Sequence, residues 1–243
     1  MILQREIPYD VEVPRRLPGV APFEMRDWLH VDEAYAGQIA ERLRLLRERR
    51  GAVLALDEGA RPAAEELLDL VLAWLPEGFV RDGDAVSCPD GRRVVVNRGD
   101  PLGTLGALVQ EDLCLMETRG EQHVLTGAVL CFPASWRLDQ KFLRPLTGIH
   151  EPVGEYDAGL AARVQRLFDG VQVGRPLWRF NVLTYADAEL HQPRAEHEKR
   201  PEVNPRAAHF LRSERQCLIR LPRTRAVVFS IHTYLVDRAG EEP

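Results

Sequence analysis

Two kinds of hydrophobic spacing divide the chain into a helical first part and a strand-rich second part. Apolar positions recur at helical spacing between Tyr35 and Leu46, and again between Leu67 and Leu75, where Pro76 ends the pattern. Three long apolar runs follow later in the chain, and we interpret them as strands: Leu177–Tyr185, Arg212–Leu221 and Ala226–Val236. The pattern predicts a single α+β domain over residues 1–243, with an extended arm at 1–27 and N-terminal helices at 32–76.

Shorter signals predict the elements between these parts. The turn Pro89-Asp90-Gly91 lies between two short apolar segments and is typical of a β-hairpin. The stretch Thr104–Met116 has apolar residues close to one stripe, so we predict a helix that carries Glu111 and Asp112. A strand is expected over His123–Phe132 and a helix from Asp157 to about Phe168.

Composition narrows the class of protein without defining its chemistry. The chain has 243 residues, of which 45% are hydrophobic and 28% charged, as in an ordinary globular protein. Its formal net charge of -5 argues against nucleic acid as the main partner. No apolar run is long enough for a membrane span and the N-terminus is too charged for a signal peptide, so we expect a cytoplasmic protein. The four cysteines lack C-x-x-C spacing, which favours buried, reduced thiols.

Candidate chemistry centres on the stretch from Ala128 to Asp157. An apolar run ends at Pro133, a polar connection follows, and His150 then precedes Glu151-Pro152. The proline favours extended geometry at Glu151, which places His150 at a junction between elements, where one face of its ring is open to a ligand. A histidine packed into the core is the alternative interpretation of the same pattern.

Arginines on strand faces form the second candidate feature. In the run Arg212–Leu221, Arg215 falls on the apolar face, and a buried guanidinium needs an anionic or well-bonded partner. Arg179 and Asn181 share a face of the preceding strand. The partner of Arg215 is either a carboxylate of the protein, Glu111 or Asp112, or an anionic ligand.

Motifs for nucleotide, zinc-hydrolase, serine-hydrolase and covalent-haem sites are missing from the sequence. An ordered set of other motifs resembles the haem-dependent oxidative N-demethylase-like family over roughly Pro22 to Asp237. The set comprises WLHVDEAY, VQEDL, PASW followed by Lys141, GIHEPVGEY, Arg179-x-Asn181 and LRSERQCLIRLPRTRAVVFSIHTYLV. The sequence departs from the family pattern at Gly154, Val182 and His232.

This resemblance implies a PAS-like antiparallel sheet with flanking helices that holds non-covalent b-type haem. By the resemblance, His150 is the candidate axial ligand of the haem iron, and His232 is the alternative. Arg215, Arg179 and Asn181 are the candidates for the haem propionates or a polar partner beside them, and Lys141 is a weaker candidate for the same role. Catalytic residues are not indicated.

The same resemblance implies a mono-oxygenase that removes a methyl group from a small secondary amine as formaldehyde. The reaction uses dioxygen and electrons from a separate flavin and iron–sulfur reductase, because this chain has no motif for those cofactors. The alternative hypothesis is a PAS-like module that binds haem or another ligand as a sensor without turnover. The sequence leaves the substrate, the reductase and the oligomeric state open.

Overall fold

A seven-stranded antiparallel sheet forms the centre of the protein, which we describe from a computed structural model. The description covers residues 1–13, 19–150, 158–196, 198 and 209–238, and excludes the side chains of 150 and 158–161. The strands are β1 (Ala21–Pro22), β2 (Leu54–Leu56), β3 (Val80–Asp82), β4 (Ala85–Ser87), β5 (Arg93–Val95), β6 (Asp112–Arg119), β7 (Gln122–Val129), β8 (Leu177–Tyr185), β9 (Phe210–Arg220) and β10 (Val227–Asp237). The large sheet has the order β1-β8-β9-β10-β6-β7-β2, and β3, β4 and β5 form a small separate sheet.

Helices cover both faces of the large sheet. They are α1 (Tyr35–Glu48), α2 (Arg50–Val53), α3 (Arg61–Ala73), α4 (Pro101–Leu108), α5 (Leu138–Lys141), α6 (Leu146–His150) and α7 (Ala158–Gly170). One hydrophobic core joins α1, α3 and α4 to the sheet face that carries Cys217 and Ile219, which we call face A. A second core joins α5, α6 and α7 to the opposite face, which carries Leu218 and Ile231 and which we call face B.

The two longest strands, β9 and β10, pair over their whole length and fix which side chains share a face. Arg215 is paired with His232, and Glu214 is paired with Thr233. Because successive residues of a strand point to opposite faces, the first pair lies on face A and the second on face B. Strand β8 continues these rows, since Phe180 is paired with Arg215 and Asn181 with Glu214.

The end of β10 extends beyond its pairing with β6, and the N-terminal arm satisfies its backbone there. The Gln4 N–H donates to the Leu235 carbonyl at 2.9 Å, and the Leu235 N–H donates to the Gln4 side-chain oxygen at 2.8 Å. Gln38 of α1 donates to the Thr233 carbonyl at 3.0 Å. These contacts supply the hydrogen bonds that a neighbouring strand would otherwise provide.

The prediction of an α+β fold with an antiparallel sheet and flanking helices is confirmed. The strands and helices predicted from the longest apolar patterns lie where expected, and so does the hairpin of β4 and β5. The four cysteines are buried and free, as expected. In the described parts of the chain, no helix combines the length and the apolar character needed to cross a bilayer.

The prediction of a helix over Thr104–Met116 is wrong beyond Leu108. The helix α4 ends there, and Asp112 begins the strand β6. Leu113 and Leu115 belong to the core on face A, whereas Cys114 and Met116 belong to the core on face B. A strand that is buried on both faces has apolar residues at consecutive positions, so its sequence shows no alternation that would distinguish it from a buried helix.

Candidate functional site on the central sheet

A buried histidine between two carboxylates dominates face A. His232 on β10 donates from Nδ1 to Glu111 Oε1 at 3.0 Å and from Nε2 to Asp32 Oδ2 at 3.0 Å. His232 and Glu111 are each 1% exposed. Glu111 lies just before β6, and Asp32 lies in the loop before α1, so the tertiary fold joins three distant segments at this imidazole.

The charges of this cluster stabilise one another. Burial by itself would lower the pKa of His232, but the hydrogen bonds and charges of Asp32 and Glu111 raise it to about 9. Burial would raise the pKa of Asp32, yet its bonds to His232, Gln110 and Gln4 lower it to about 2. The pKa of Glu111 is likewise lowered by His232 against the effect of burial. At neutral pH the cluster therefore holds an imidazolium between two carboxylates.

A second histidine connects this cluster to the surface. The Tyr234 hydroxyl donates a hydrogen bond to His30 Nδ1, and His30 Nε2 donates one to the Asp27 carbonyl at 3.2 Å. Burial, together with the positive charges of His232 and Arg215, lowers the pKa of His30 to about 4, so its ring is neutral. A cavity of about 380 Å³ is lined by residues that include His30 and Tyr234, and it brings solvent to this end of the cluster.

Arg215 lies on the same face, but its partners are not the predicted ones. Its Nη1 donates to the Trp28 carbonyl at 2.9 Å and its Nη2 to the Asp27 carbonyl at 2.6 Å. Its guanidinium also lies over the rings of Phe23 and Trp178, at 5.1 and 5.4 Å from their centroids. The expected pairing with Glu111 or Asp112 is wrong, because Glu111 binds His232 and Asp112 binds Arg42 at 2.6 Å. Backbone carbonyls and aromatic rings satisfy Arg215 instead.

Face B carries a different polar row at the same level of the sheet. Asn181 Nδ2 donates to Glu214 Oε2 at 2.8 Å, and the Glu214 N–H donates to Asn181 Oδ1 at 3.0 Å. Gln216 Nε2 also donates to Glu214 Oε2, at 3.1 Å. Arg179 lies on this face beside Gln216, with which it is paired in register. The motif Arg179-x-Asn181 therefore faces a buried carboxylate that is 5% exposed.

Two buried polar atoms on face B have no hydrogen-bond partner among the described residues. One is the Thr233 hydroxyl, on the residue paired with Glu214. The other is Nε of Arg212, which lies two residues before Glu214 on β9. The other two nitrogens of Arg212 donate to the carbonyls of Leu190 and Phe132. An unpaired buried polar group costs about 1–3 kcal/mol, so each of these atoms calls for a partner that the described residues do not supply.

The remaining predicted residues lie towards the helices on face B. Lys141 of α5 is buried, and its ammonium group pairs with Glu196 Oε1 at 2.7 Å, while Arg144 binds the same carboxylate at 3.1 Å. His150 ends α6, the helix that packs on face B through Leu146. The side chain of His150 and the residues 151–157, which include Gly154, lie outside the described part of the chain.

The sequence of the chain matches the model of one protein family over residues 19–239. That family is described as haem-dependent oxidative N-demethylase, alpha subunit-like. The chain belongs to this family. The recognition made from the ordered motifs is therefore confirmed, and membership implies a haem-dependent oxidative protein.

The two faces fit a haem differently. Both ring nitrogens of His232 already donate to carboxylates, so neither has a lone pair for iron, and the histidine is protonated. Face B carries the buried apolar residues Leu218 and Ile231, with Arg179 on the same face of the neighbouring strand. This set of residues fits a porphyrin with its charged propionates. Arg215 and Arg179 lie on opposite faces, so a single haem on either face contacts only one of them.

Sequence reasoning missed Glu214, Thr233 and the Asp32–His232–Glu111 cluster. Glu214 falls on the polar side of its strand in the sequence, a pattern that indicates solvent, whereas face B is buried. One signal was present in the sequence: the last two apolar runs are long, which is typical of strands that are buried on both faces. Charged residues within such strands need partners in the interior. The cluster joins segments about 80 and 120 residues apart, which no local pattern indicates.

Proposed function

We propose that this protein is the haem-binding subunit of an oxidative N-demethylase and that its haem lies on face B. His150 is the proposed axial ligand, and Arg179 is the proposed partner of a propionate. The observation that supports this placement is the set of buried polar atoms on face B that lack partners among the described residues, on the same face as the helix that ends at His150. We propose b-type haem, held without covalent attachment, in a PAS-like fold.

The proposed substrate is a small secondary amine, with dioxygen as co-substrate. Bound haem would supply the activation of dioxygen, using electrons from a separate flavin and iron–sulfur reductase. The overall reaction takes a secondary N-methylamine, dioxygen, two electrons and two protons to a primary amine, formaldehyde and water. The chain itself would bind the amine, exclude water through the two hydrophobic cores, and hold the carboxylate of Glu214 in a fixed position.

Reconstitution with hemin tests this proposal. We expect one equivalent of hemin per chain to give a Soret band, and His150→Ala to lose haem retention on gel filtration, because neutral imidazole is a strong axial ligand. His209→Ala is the control, since His209 is exposed just before β9. Normal haem loading and an unchanged spectrum in His150→Ala would contradict the ligand assignment.

Turnover separates the enzyme from a haem-binding sensor. With a surrogate reductase, we expect the haem-loaded protein to release formaldehyde from dimethylamine in a dioxygen-dependent reaction. Haem loading and electron transfer without formaldehyde from any small methylamine would favour the sensor hypothesis instead.

A further inference from the structure

The carboxylate of Glu214 is held so that one of its oxygens stays available. Asn181 and Gln216 both donate to Oε2, and the reciprocal bond from the Glu214 N–H to Asn181 fixes the pair across β8 and β9. No hydrogen bond to Oε1 comes from the residues described. The nearest cation is Arg212 Nη2, at 3.6 Å from Oε1, and this guanidinium is committed to two carbonyls. Asn181 is therefore a positioning residue for Glu214.

The Thr233 hydroxyl is a second acceptor beside this oxygen. Thr233 is paired with Glu214 between β10 and β9, and directly paired residues have Cβ atoms about 4.5–5.5 Å apart. Thr233 is 1% exposed, and Oγ1 has no partner among the described residues. A hydroxyl left unpaired in the interior costs free energy, which a ligand that donates a hydrogen bond would recover.

The two acceptors define the chemistry of the missing partner. A carboxylate oxygen and a hydroxyl oxygen on neighbouring strands suit a compact cation with two N–H groups. Ile231 lies on the same face, two residues before Thr233, and provides an apolar surface for small alkyl groups. A quaternary ammonium lacks N–H groups, and a neutral ligand would leave Glu214 Oε1 with no charged partner nearer than Arg212 Nη2 at 3.6 Å.

We propose that Glu214 Oε1 and Thr233 Oγ1 bind the ammonium group of a small secondary amine, each accepting one of its two N–H groups. This inference rests on the proposed function, because it places the amine on the face assigned to the haem. It adds the residues that select the amine by its number of N–H donors.

Calorimetric titration of the haem-loaded protein with three chloride salts tests the site. The salts are dimethylammonium, trimethylammonium and tetramethylammonium, which carry two, one and no N–H groups. We expect affinity to fall stepwise along this series, by about tenfold or more for each lost charge-assisted bond. Thr233→Val should weaken dimethylammonium binding about tenfold and remove its advantage over trimethylammonium, whereas Glu214→Gln should weaken both.

The control variant is Glu117→Gln, which removes a carboxylate from β6 of the same sheet, away from Asn181, Glu214 and Thr233. Haem content of every sample is read from its Soret band, so loss of haem, which bears on the proposed function, is separated from loss of amine binding. Equal affinity for the three cations, no binding of dimethylammonium by the wild-type chain, or an unchanged affinity in a folded Glu214→Gln variant would overturn the inference. The cation series needs no variant and decides the question if Glu214→Gln does not fold.

Discussion

Faces A and B of the sheet use neighbouring residues of the same two strands in opposite ways. On face A, His232 meets two carboxylates, and Arg215 meets two carbonyls and two aromatic rings. On face B, one residue further along β10, the Thr233 hydroxyl has no partner among the described residues. Face A also has a buried oxygen, Glu111 Oε2, without a partner among the described residues, but there the histidine and the two carboxylates balance one another's charge, whereas the Thr233 hydroxyl on face B has no partner at all among those residues.

The contrast between the two faces also distinguishes two arginines that the sequence analysis treated alike, as candidate partners of a haem propionate. Arg215 and Arg179 are both arginines on strands with apolar neighbours, and both suit an anionic ligand. The structure commits Arg215 to the loop at Asp27 and Trp28, while Arg179 lies beside Gln216 on face B. Side-chain type indicates what a residue can bind, and the neighbours that the fold supplies decide whether it does.

The largest effect is expected from His232→Ala. Removing the imidazolium leaves Asp32 and Glu111 as buried carboxylates without their cation, which costs about 3–5 kcal/mol of the free energy of unfolding. Urea denaturation measures this loss. Glu214→Gln on face B is the matched comparison, because it keeps the shape of the side chain. Two neutral amides supply the hydrogen bonds of Glu214 and its ion pair with Arg212 is long, at 3.6 Å, so this variant should cost much less. Equal losses for the two variants would remove the distinction between the faces.

The pH dependence of stability should show the same cluster. The pKa of His232 is raised from 6.5 to about 9, so its stabilisation is fully present below pH 6.5 and is lost as the pH rises through 9. The free energy of unfolding should therefore fall above pH 6.5, by at most about 1.4 kcal/mol for each pH unit. Urea denaturation between pH 6.5 and 9 measures this slope, and His232→Asn should flatten it. A wild-type stability that is constant over this range would contradict the raised pKa of His232.

The smallest effect is expected when either Arg179 or Arg215 is replaced and the affinity of the protein for haem is measured. Arg179→Gln should weaken haem binding about tenfold, since one charge-assisted bond to a propionate is lost. Arg215→Gln should leave haem affinity nearly unchanged and destabilise the haem-free protein, because it leaves the Asp27 and Trp28 carbonyls without their donor. Hemin titration followed by absorbance, together with thermal unfolding of the haem-free variants, measures both. A greater loss of haem affinity in Arg215→Gln would place the haem on face A.

Much of the fold was predictable from local pattern. The strand predicted over Leu177–Tyr185 is β8, and the last two predicted strands match β9 and β10 within two residues at each end. The strand β6 was not predictable in the same way, because its apolar residues face both cores. Family membership was also recognisable, since it depends on the order of motifs along the chain.

The sequence alone determined the α+β class, the main helices and strands, the free buried cysteines and the family. The tertiary structure alone decided the partners of each buried charge: Asp32 and Glu111 for His232, backbone carbonyls for Arg215, and Asn181 for Glu214. The physical reason is the range of the interactions. Helix and strand patterns arise from neighbours a few residues apart, whereas a buried charge is compensated by whichever distant segment the pairing of strands brings within about 3 Å.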